Sequence, residues 1–246
     1  MREPTTLIIS SYESAELTVN LLNSIQQYAS TAEDEILIMD DGSSKHTLDV
    51  LVAAKPTNCA IHSYLHQQQS GLPRLRAAGR KLAAYDWVMW LDNDVEWRYG
   101  DPLEALQNTM QSAKGHIGAI QPIRITKDNH VRQANFFDRD LNCVHQKFFE
   151  GMIQYGMYPE GACWLSHRTT FDSWQYDDTL CGFEDSDIGF QMYVAGFKCA
   201  CLSTERVWHK EWGSNLWHTV NSNPANRQQV ISKWAWAFDS FLGEFR

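Results

Sequence analysis

Short apolar runs alternate with helix-like segments through the N-terminal part of the chain, and this alternation constrains the fold more than any other feature of the sequence. The runs occupy residues 6–9, 35–39, 60–65 and 87–91. Each run has the length of one buried strand and falls far short of a membrane span. Between the runs, apolar residues recur at helical spacing. The sequence therefore predicts an α/β fold, a mostly parallel sheet with right-handed helical crossovers.

Three of the predicted strands end on polar or acidic residues. Ser10 follows the first run, Asp40 and Asp41 follow the second, and Asp92 and Asp94 follow the fourth. Because the carboxyl ends of parallel strands meet at one sheet edge, where ligands of α/β folds bind, we expect a site there. The two acids of the Asp-x-Asp pair repel each other unless a cation lies between them, and oxygen ligands suit Mg²⁺ or Mn²⁺. A lone Asp-x-Asp is also typical of a polar turn that merely ends a strand.

The second half of the chain has a different texture. The pattern predicts a helix over residues 101–114, a strand over 117–125, a strand over 161–165 that returns to the sheet, a helix over 183–193 and an edge strand over 197–202. Residues 128–161 show no sustained period. Long irregular segments of compact domains tend to be binding loops, so we expect this segment to carry ligand contacts.

Charge and composition exclude several classes of protein. The net charge of −9 argues against a nucleic-acid binder, which would need a basic surface. The six cysteines lack Cys-x-x-Cys spacing, which argues against zinc and favours free thiols in a reducing compartment. The N-terminus has no apolar segment of signal-peptide length, and no transmembrane segment is predicted. We therefore expect a cytoplasmic protein, at most peripheral to a membrane.

Five motifs in order carry a family resemblance. They are residues 8–12, 40–43, 76–79, 92–94, and 184–187 with His209 behind them. Because the motifs occur in this order and at this spacing, the chain resembles the nucleotide-sugar-dependent glycosyltransferases of family 2. The resemblance covers residues 6–214 and implies the Rossmann-like GT-A fold. The resemblance implies one domain, in which residues 1–98 bind the nucleotide sugar and 99–225 form the acceptor and catalytic half. Residues 226–246 add a C-terminal aromatic, amphipathic helix.

The resemblance also implies an activity and a cofactor. Such enzymes transfer a sugar, with inversion, from a nucleoside diphosphate to a hydroxyl acceptor with the help of Mn²⁺ or Mg²⁺. A UDP-sugar is the favoured donor, and a glycan or glycolipid precursor is the expected acceptor. Asp94 and His209 are the implied metal ligands, and Asp185 is the implied general base. The implied donor contacts are Ser10, Tyr12, Glu13, Asp41, Arg76, Asp92 and Asn93.

Acceptor contacts are predicted from side-chain chemistry. Glu184 and Asp187 flank the implied base and compete with it for the role. Four tryptophan rings are predicted to line an acceptor groove, because sugars stack on aromatic rings. Packing in the protein core would explain these tryptophans equally well. The rings are those of Trp164, Trp208, Trp212 and Trp217.

Structural alternatives stand beside these assignments. His209 next to a tryptophan is also typical of a packed, hydrogen-bonded ring, and acids at a helix N-terminus also serve the helix dipole. The apolar stripe of residues 226–246 favours docking on its own domain or a homodimer over a membrane surface, because few basic residues accompany it.

Two other functions remain as alternatives. A Mg²⁺-dependent nucleotidyltransferase would need a Gly-rich phosphate loop after the first strand, where this chain has residues 10–13, Ser-Ser-Tyr-Glu. A catalytically inactive nucleotide-sugar or glycan binder would have no need of the intact acids.

Overall fold

The computed structural model describes residues 2–28, 33–63, 71–113, 115–132, 136–144, 151–180, 182–210 and 224–244. The strands are β1 (Thr5–Ser11), β2 (Glu35–Asp40), β3 (Cys59–Ser63), β4 (Trp87–Asp92), β5 (Val95–Glu96), β6 (Ile117–Thr126), β7 (Val131–Arg132), β8 (Phe136–Phe137), β9 (Cys143–Val144), β10 (Ile153–Gly156), β11 (Cys163–His167) and β12 (Lys198–His209). The helices are α1 (Ala15–Tyr28), α2 (Lys45–Ala54), α3 (Leu72–Leu82), α4 (Leu103–Ser112), α5 (Glu184–Val194), α6 (Pro224–Trp234) and α7 (Phe238–Glu244), and a 3-10 helix spans Arg168–Ser173.

One large sheet organises the described residues. Its strand order is β10-β12-β6-β11-β4-β1-β2-β3, and the short strands β5 and β7 pair with β12 and β6. Strands β3, β2, β1 and β4 are parallel to one another, β11 is antiparallel to both β4 and β6, and β12 is parallel to β6. The sheet is thus mostly parallel, and the predicted α/β class is confirmed.

Helices cover both faces of the sheet, which explains why its central strands read as continuous apolar runs. On one face, α1, α2 and α4 contribute buried leucines and isoleucines to a core with Leu7, Ile9 and Met89. On the other face, α3 and α5 pack with Ile8 and Trp90. Gly79 allows helix α3 to pack closely on β1: a Cβ at this position would lie only 2.8 Å from Ile8 Cγ2.

The C-terminal segment packs on its own chain. The predicted single helix is two helices, α6 and α7, joined at residues 235–237. Trp234 stacks on Phe190 of α5 with ring centroids 5.5 Å apart, and Phe241 lies 4.5 Å from the same ring. The described part of the apolar stripe, through residue 244, therefore packs within the chain, and a homodimer through it stays a prediction. Among the described residues, no helix has the length and apolar character of a membrane span.

The prediction of an edge strand at residues 197–202 is wrong. Strand β12 runs from Lys198 to His209 and lies between β10 and β6, so β10 is the edge on that side among the strands that the structure describes. The error has a physical cause: β10 comes from the segment without a sustained period, and its four residues are too few to produce one. The extra length of β12 makes His209 the last residue of a strand rather than part of the following loop.

Candidate active site

Asp92, Asp94 and His209 form a cluster at the carboxyl edge of the sheet. Asp92 ends β4, and the pairing of His209 with Val95 brings the end of β12 beside Asp94. One ligand atom from each of the three side chains lies within 4.8 Å of the others. Two carboxylates and one imidazole are donors that Mn²⁺ and Mg²⁺ accept, so these residues fit a divalent cation. Asp92, predicted as a donor-sugar contact, lies among the candidate metal ligands.

The imidazole of His209 is held from both sides. Its Nε2 lies 3.0 Å from Asp94 Oδ1, and its Nδ1 lies 2.9 Å from Arg124 Nη1. A guanidinium only donates hydrogen bonds, so in this arrangement Nδ1 accepts and Nε2 donates to Asp94. A cation bound at Nε2 would have to displace that proton and take the place of the hydrogen bond to Asp94. Arg124 also forms an ion pair with Glu160. Sequence reasoning missed Arg124, although a lone arginine inside an apolar predicted strand was a signal.

Arg76 joins the metal-ligand cluster to the candidate base. It projects from α3 and is 1% exposed. Its Nη2 donates to Asp92 Oδ1 at 2.7 Å and to the Gly161 carbonyl oxygen at 2.6 Å, while its Nη1 lies 3.5 Å from Asp185 Oδ1. Arg76 was predicted to contact the nucleotide. In this structure its terminal nitrogens bind the acids of the site.

Asp185 lies in the first turn of α5, where its Oδ2 accepts a hydrogen bond from the Gly161 amide at 2.8 Å. Burial raises the pKa of Asp185 well above its ordinary value, Glu184 raises it further, and Arg76 opposes both. A carboxylate with a raised pKa is a stronger base than an exposed aspartate. Phe183, which precedes the acids, has a left-handed backbone with φ 61°.

The other predicted donor contacts divide into two groups. Ser10, near the end of β1 and paired with Asp92, has a buried hydroxyl with no hydrogen-bond partner among the described residues, and Tyr12 is half-exposed two residues later. Asp41 accepts a hydrogen bond from the Gly71 amide at 3.0 Å.

Glu13 and Asn93 hold neighbouring helices instead. Glu13 accepts from Thr47 Oγ1 at 2.7 Å and Ser44 N at 2.6 Å in α2 and its cap, and Asn93 bonds Ser14 and Thr18 at α1.

Two predicted acceptor contacts are wrong. Trp164 is fully buried, with ring centroids 5.4 Å from both Trp90 and Trp174, so its ring belongs to the core. Asp187 is also buried and faces α6, where its carboxylate accepts hydrogen bonds from Trp234 Nε1 at 2.7 Å and Lys233 Nζ at 3.1 Å. Residue type alone does not tell which face of a strand or helix a side chain occupies.

The remaining acceptor predictions have different outcomes. Glu184 lies beside Arg76, with 4.0 Å between Oε1 and Nη1. Trp208 is half-buried on β12, and the Arg98 guanidinium carbon lies 3.5 Å from its ring centroid. Trp212 and Trp217 fall in residues 211–223, outside the described part of the chain.

The chain is similar to proteins of known family. A family model described as "Glycosyl transferase family 2" matches residues 6–174. The chain belongs to glycosyl transferase family 2. It is therefore a glycosyltransferase, as the five motifs predicted. The family match includes the Asp-x-Asp pair and Arg76 and ends before Asp185 and His209.

Curated relatives of this family 2 chain include poly-beta-1,6-N-acetyl-D-glucosamine synthases. The enzyme of Staphylococcus aureus strain COL is 29% identical over 203 residues, which are 80% of this chain and 47% of the relative. The enzyme of strain MSSA476 is 23% identical over the same coverage. The chain thus spans about half the length of the curated relatives it matches.

Solved structures of glycosyltransferases share the fold. GalNAc-T7, crystallised with UDP, GalNAc and Mn²⁺, superposes with a TM-score of 0.71 at 17% identity, over 94% of this chain and 48% of that one. Residues 1–349 of S. aureus TarS superpose with a TM-score of 0.59 at 15% identity, over 95% and 71% of the two chains. The GT-A-like architecture is confirmed by these similarities.

Proposed function

We propose that this glycosyltransferase moves a sugar from a nucleoside diphosphate, with uridine as the base, to a hydroxyl of a glycan or glycolipid precursor, with inversion at the anomeric carbon. One observation supports the proposal above the others. A metal-ligand set and a base-like carboxylate meet at one sheet edge, and Arg76 contacts Asp92 in the first and Asp185 in the second.

The donor side of the reaction needs compensation of negative charge. A divalent cation held by Asp92, Asp94 and His209 would stabilise the charge that develops on the leaving diphosphate. Within the described part of the chain the buried Ser10 hydroxyl has no hydrogen-bond partner, and Asp41 follows the neighbouring strand β2, so both are proposed to bind the nucleoside. Arg76 donates a hydrogen bond to Asp92 at 2.7 Å and thereby orients this carboxylate.

The acceptor side needs a base. We assign this role to Asp185, which would accept the proton of the acceptor hydroxyl as its oxygen attacks the anomeric carbon. Attack from the side opposite the leaving diphosphate gives inversion. The raised pKa of Asp185 suits this work, because a general base is most effective when its pKa approaches the working pH. Glu184, beside Arg76, is the second candidate for acceptor contact.

The names of the similar proteins suggest which donors to test first. Poly-beta-1,6-N-acetyl-D-glucosamine synthase and GalNAc-T7 with UDP and GalNAc both name N-acetylated amino sugars. We therefore propose a UDP-N-acetylhexosamine as the donor class. The acceptor specificity of such enzymes depends on loops whose sequences do not reveal the acceptor. The name of the synthase therefore suggests only that the acceptor is polysaccharide-like.

The test is a donor panel in the presence of Mn²⁺. UDP-GlcNAc, UDP-GalNAc, UDP-glucose and their GDP counterparts are incubated with and without β-linked oligosaccharides, and released nucleoside diphosphate is measured. We expect that oligosaccharide stimulates UDP release and that Asp185→Asn suppresses it. NMR of the product should show that the anomeric configuration of the transferred sugar is inverted relative to the donor. Pyrophosphate release from UTP and a sugar 1-phosphate would instead indicate a nucleotidyltransferase. Tight donor binding without any UDP release would indicate an inactive binder.

A further inference from the structure

We propose that Gly161 is the positioning residue of Asp185: its backbone amide fixes the carboxylate, and its missing side chain makes room for Asp185 and Arg76 to meet. This inference rests on the proposed function in one respect, the assignment of Asp185 as the base. It adds a residue that contacts no substrate in the proposed mechanism and acts through another.

The contacts of Gly161 are all made by its backbone. The amide donates to Asp185 Oδ2 at 2.8 Å, and the carbonyl oxygen accepts from Arg76 Nη2 at 2.6 Å. Arg76 Nη1 lies 3.5 Å from the other oxygen of Asp185. Both carboxylate oxygens of the base thus have a neighbour that sets their direction, and Gly161 contacts both the base and the arginine.

The residues on either side of Gly161 reach the other half of the site. The Ala162 carbonyl oxygen accepts a hydrogen bond from the Asp92 amide at 2.9 Å. The Glu160 carboxylate pairs with Arg124, which in turn bonds His209. Three consecutive residues therefore connect the metal-ligand cluster to the base, and Gly161 is the one at the base.

Glycine is required here for space and not for backbone conformation. The φ angle of Gly161 is not positive, so alanine can adopt the same backbone conformation. A Cβ at this position would lie 2.7 Å from Asp185 Oδ2 and 3.3 Å from both terminal nitrogens of Arg76. Real Cβ atoms do not approach other atoms to 2.7 Å, so an alanine would push the carboxylate away from its amide.

The experiment is a double-mutant cycle with Gly161→Ala and Asp185→Asn. Turnover is measured at saturating UDP-GlcNAc, or the best donor of the panel, and UDP affinity by calorimetry with Mn²⁺. We expect Gly161→Ala to lower turnover about 10-fold or more in the native background, and at most about 2-fold in the Asp185→Asn background, because residues in contact couple strongly. The affinity for UDP should stay within a few-fold.

The pH profile gives a readout that a loss of stability would not move. A hydrogen bond donated to a carboxylate favours its ionised form, so losing the amide raises the pKa of the base. The acid limb of kcat/KM should therefore shift to higher pH in Gly161→Ala. Among the described residues, the titratable and charged groups that face Asp185 are Glu184 on its own helix, Arg76 on α3, Asp92 on β4, Glu160 beside Gly161 and Tyr176, and all remain in the variant.

Two other glycines supply matched controls. A Cβ on Gly118 would lie 2.8 Å from Phe197 Cβ, a similar crowding on a different part of the sheet, and a Cβ on Gly243 would meet nothing within 4 Å. Gly118→Ala should lower thermal stability and show no coupling to Asp185→Asn. Gly243→Ala should leave turnover unchanged and raise stability slightly, because Gly243 lies in α7 and alanine favours a helix over glycine.

The outcomes separate the inference from the function on which it rests. Equal losses from Gly161→Ala in both backgrounds, or an unshifted acid limb, would overturn the inference. Native turnover of Asp185→Asn alone would overturn the base assignment instead. If Gly161→Ala fails to fold, the Gly161 amide proton is followed by NMR in the native protein. Its resonance should move as the pH is lowered and stay fixed in Asp185→Asn, and a resonance that moves identically in both would refute the contact.

Discussion

Arg124 Nη1 donates a hydrogen bond across 2.9 Å to Nδ1 of His209, so a buried guanidinium lies directly behind a candidate metal ligand. The parallel pairing of β6 and β12 creates this relationship, because it sets Arg124 opposite Val207, two residues before His209. On the other side of the cluster, Arg76 Nη2 lies 2.7 Å from Asp92. Two fixed cations therefore border the place where a third would bind.

The first prediction is that Mn²⁺ binds tightly only together with a nucleoside diphosphate. The two arginines repel a divalent cation and three protein ligands leave its coordination incomplete, whereas phosphate oxygens supply both charge and ligands. Titration calorimetry with Mn²⁺ should give at least about 10-fold weaker binding without UDP than with it. Asp128→Ala, which removes an exposed acid, serves as the control. Equal affinity in both titrations would contradict this prediction.

The second prediction concerns Asp94→Ala. The variant removes one ligand of the proposed cation and should abolish sugar transfer. It also removes one of two clustered acids, so the relief of repulsion offsets the lost bond to His209. We expect the free energy of unfolding to change by no more than about 1 kcal/mol. Denaturant titration beside the activity assay checks both parts. A loss of several kcal/mol would mean that Asp94 has a structural role.

The third prediction separates the two adjacent acids of α5. Asp185→Asn keeps the shape of the side chain but removes the base, so turnover should fall by about 10²-fold or more while UDP affinity changes only a few-fold. Glu184→Gln should cost less, through acceptor positioning. Turnover at saturating donor, with UDP binding measured in parallel, makes the comparison. A dead Glu184→Gln and an active Asp185→Asn would move the base by one residue.

The fourth prediction uses the pKa of Asp185 in stability rather than in rate. The folded-state pKa is raised, so the folded protein binds the Asp185 proton more tightly than the unfolded chain does. Ionisation of Asp185 therefore costs stability, and this cost appears as the pH rises from the unfolded-state value of about 4 through the folded-state value. Asp185→Asn should be at least as stable as the native protein at neutral pH. Its advantage should disappear in denaturant titrations near pH 4.

The fifth prediction concerns Asp187, the buried acid that links α5 to α6. Asp187→Ala leaves Trp234 Nε1 without its acceptor and removes one partner of Lys233. We expect a loss of about 2–4 kcal/mol in the free energy of unfolding. Lys233 is partly exposed and also pairs with Asp177, so Lys233→Gln should lower the free energy of unfolding by clearly less than Asp187→Ala does. Hydrogen exchange should quicken in α6 of the Asp187 variant, and an unchanged exchange pattern would show that the contact is weak.

Much of the fold could be predicted from the sequence because its signals are local. Strands β1, β2 and β4 are buried on both faces, so each appears as an apolar run, and each ends on the polar residues that mark the site edge. Once the strands are parallel, the same local signals bring Asp92 and Asp94 to the site edge, whereas Asp185 on α5 was assigned through the family resemblance. His209 was found by the spacing of the family motifs.

The rest depended on contacts between distant residues. The sequence does not tell that Trp164 faces the core or that Asp187 faces α6, because either face of the element was compatible with its pattern. Gly161 has no side chain to signal a role, and its importance appears only when Asp185, 24 residues later, folds over its amide. Arg124 likewise acquires meaning only from His209.

The single reversed strand near the middle of the sheet has a consequence for how this enzyme could diversify. Strand β6 ends, and β11 begins, at the same edge as the site, so residues 127–162 start and finish at one edge of the sheet, and within them β7 and β10 pair with β6 and β12. Lengthening such a segment costs little, since loop-closure entropy grows slowly with length. The length of this segment could therefore change between its paired strands, while Glu160, Gly161 and Ala162 at its end kept their contacts with Arg124, Asp185 and Asp92.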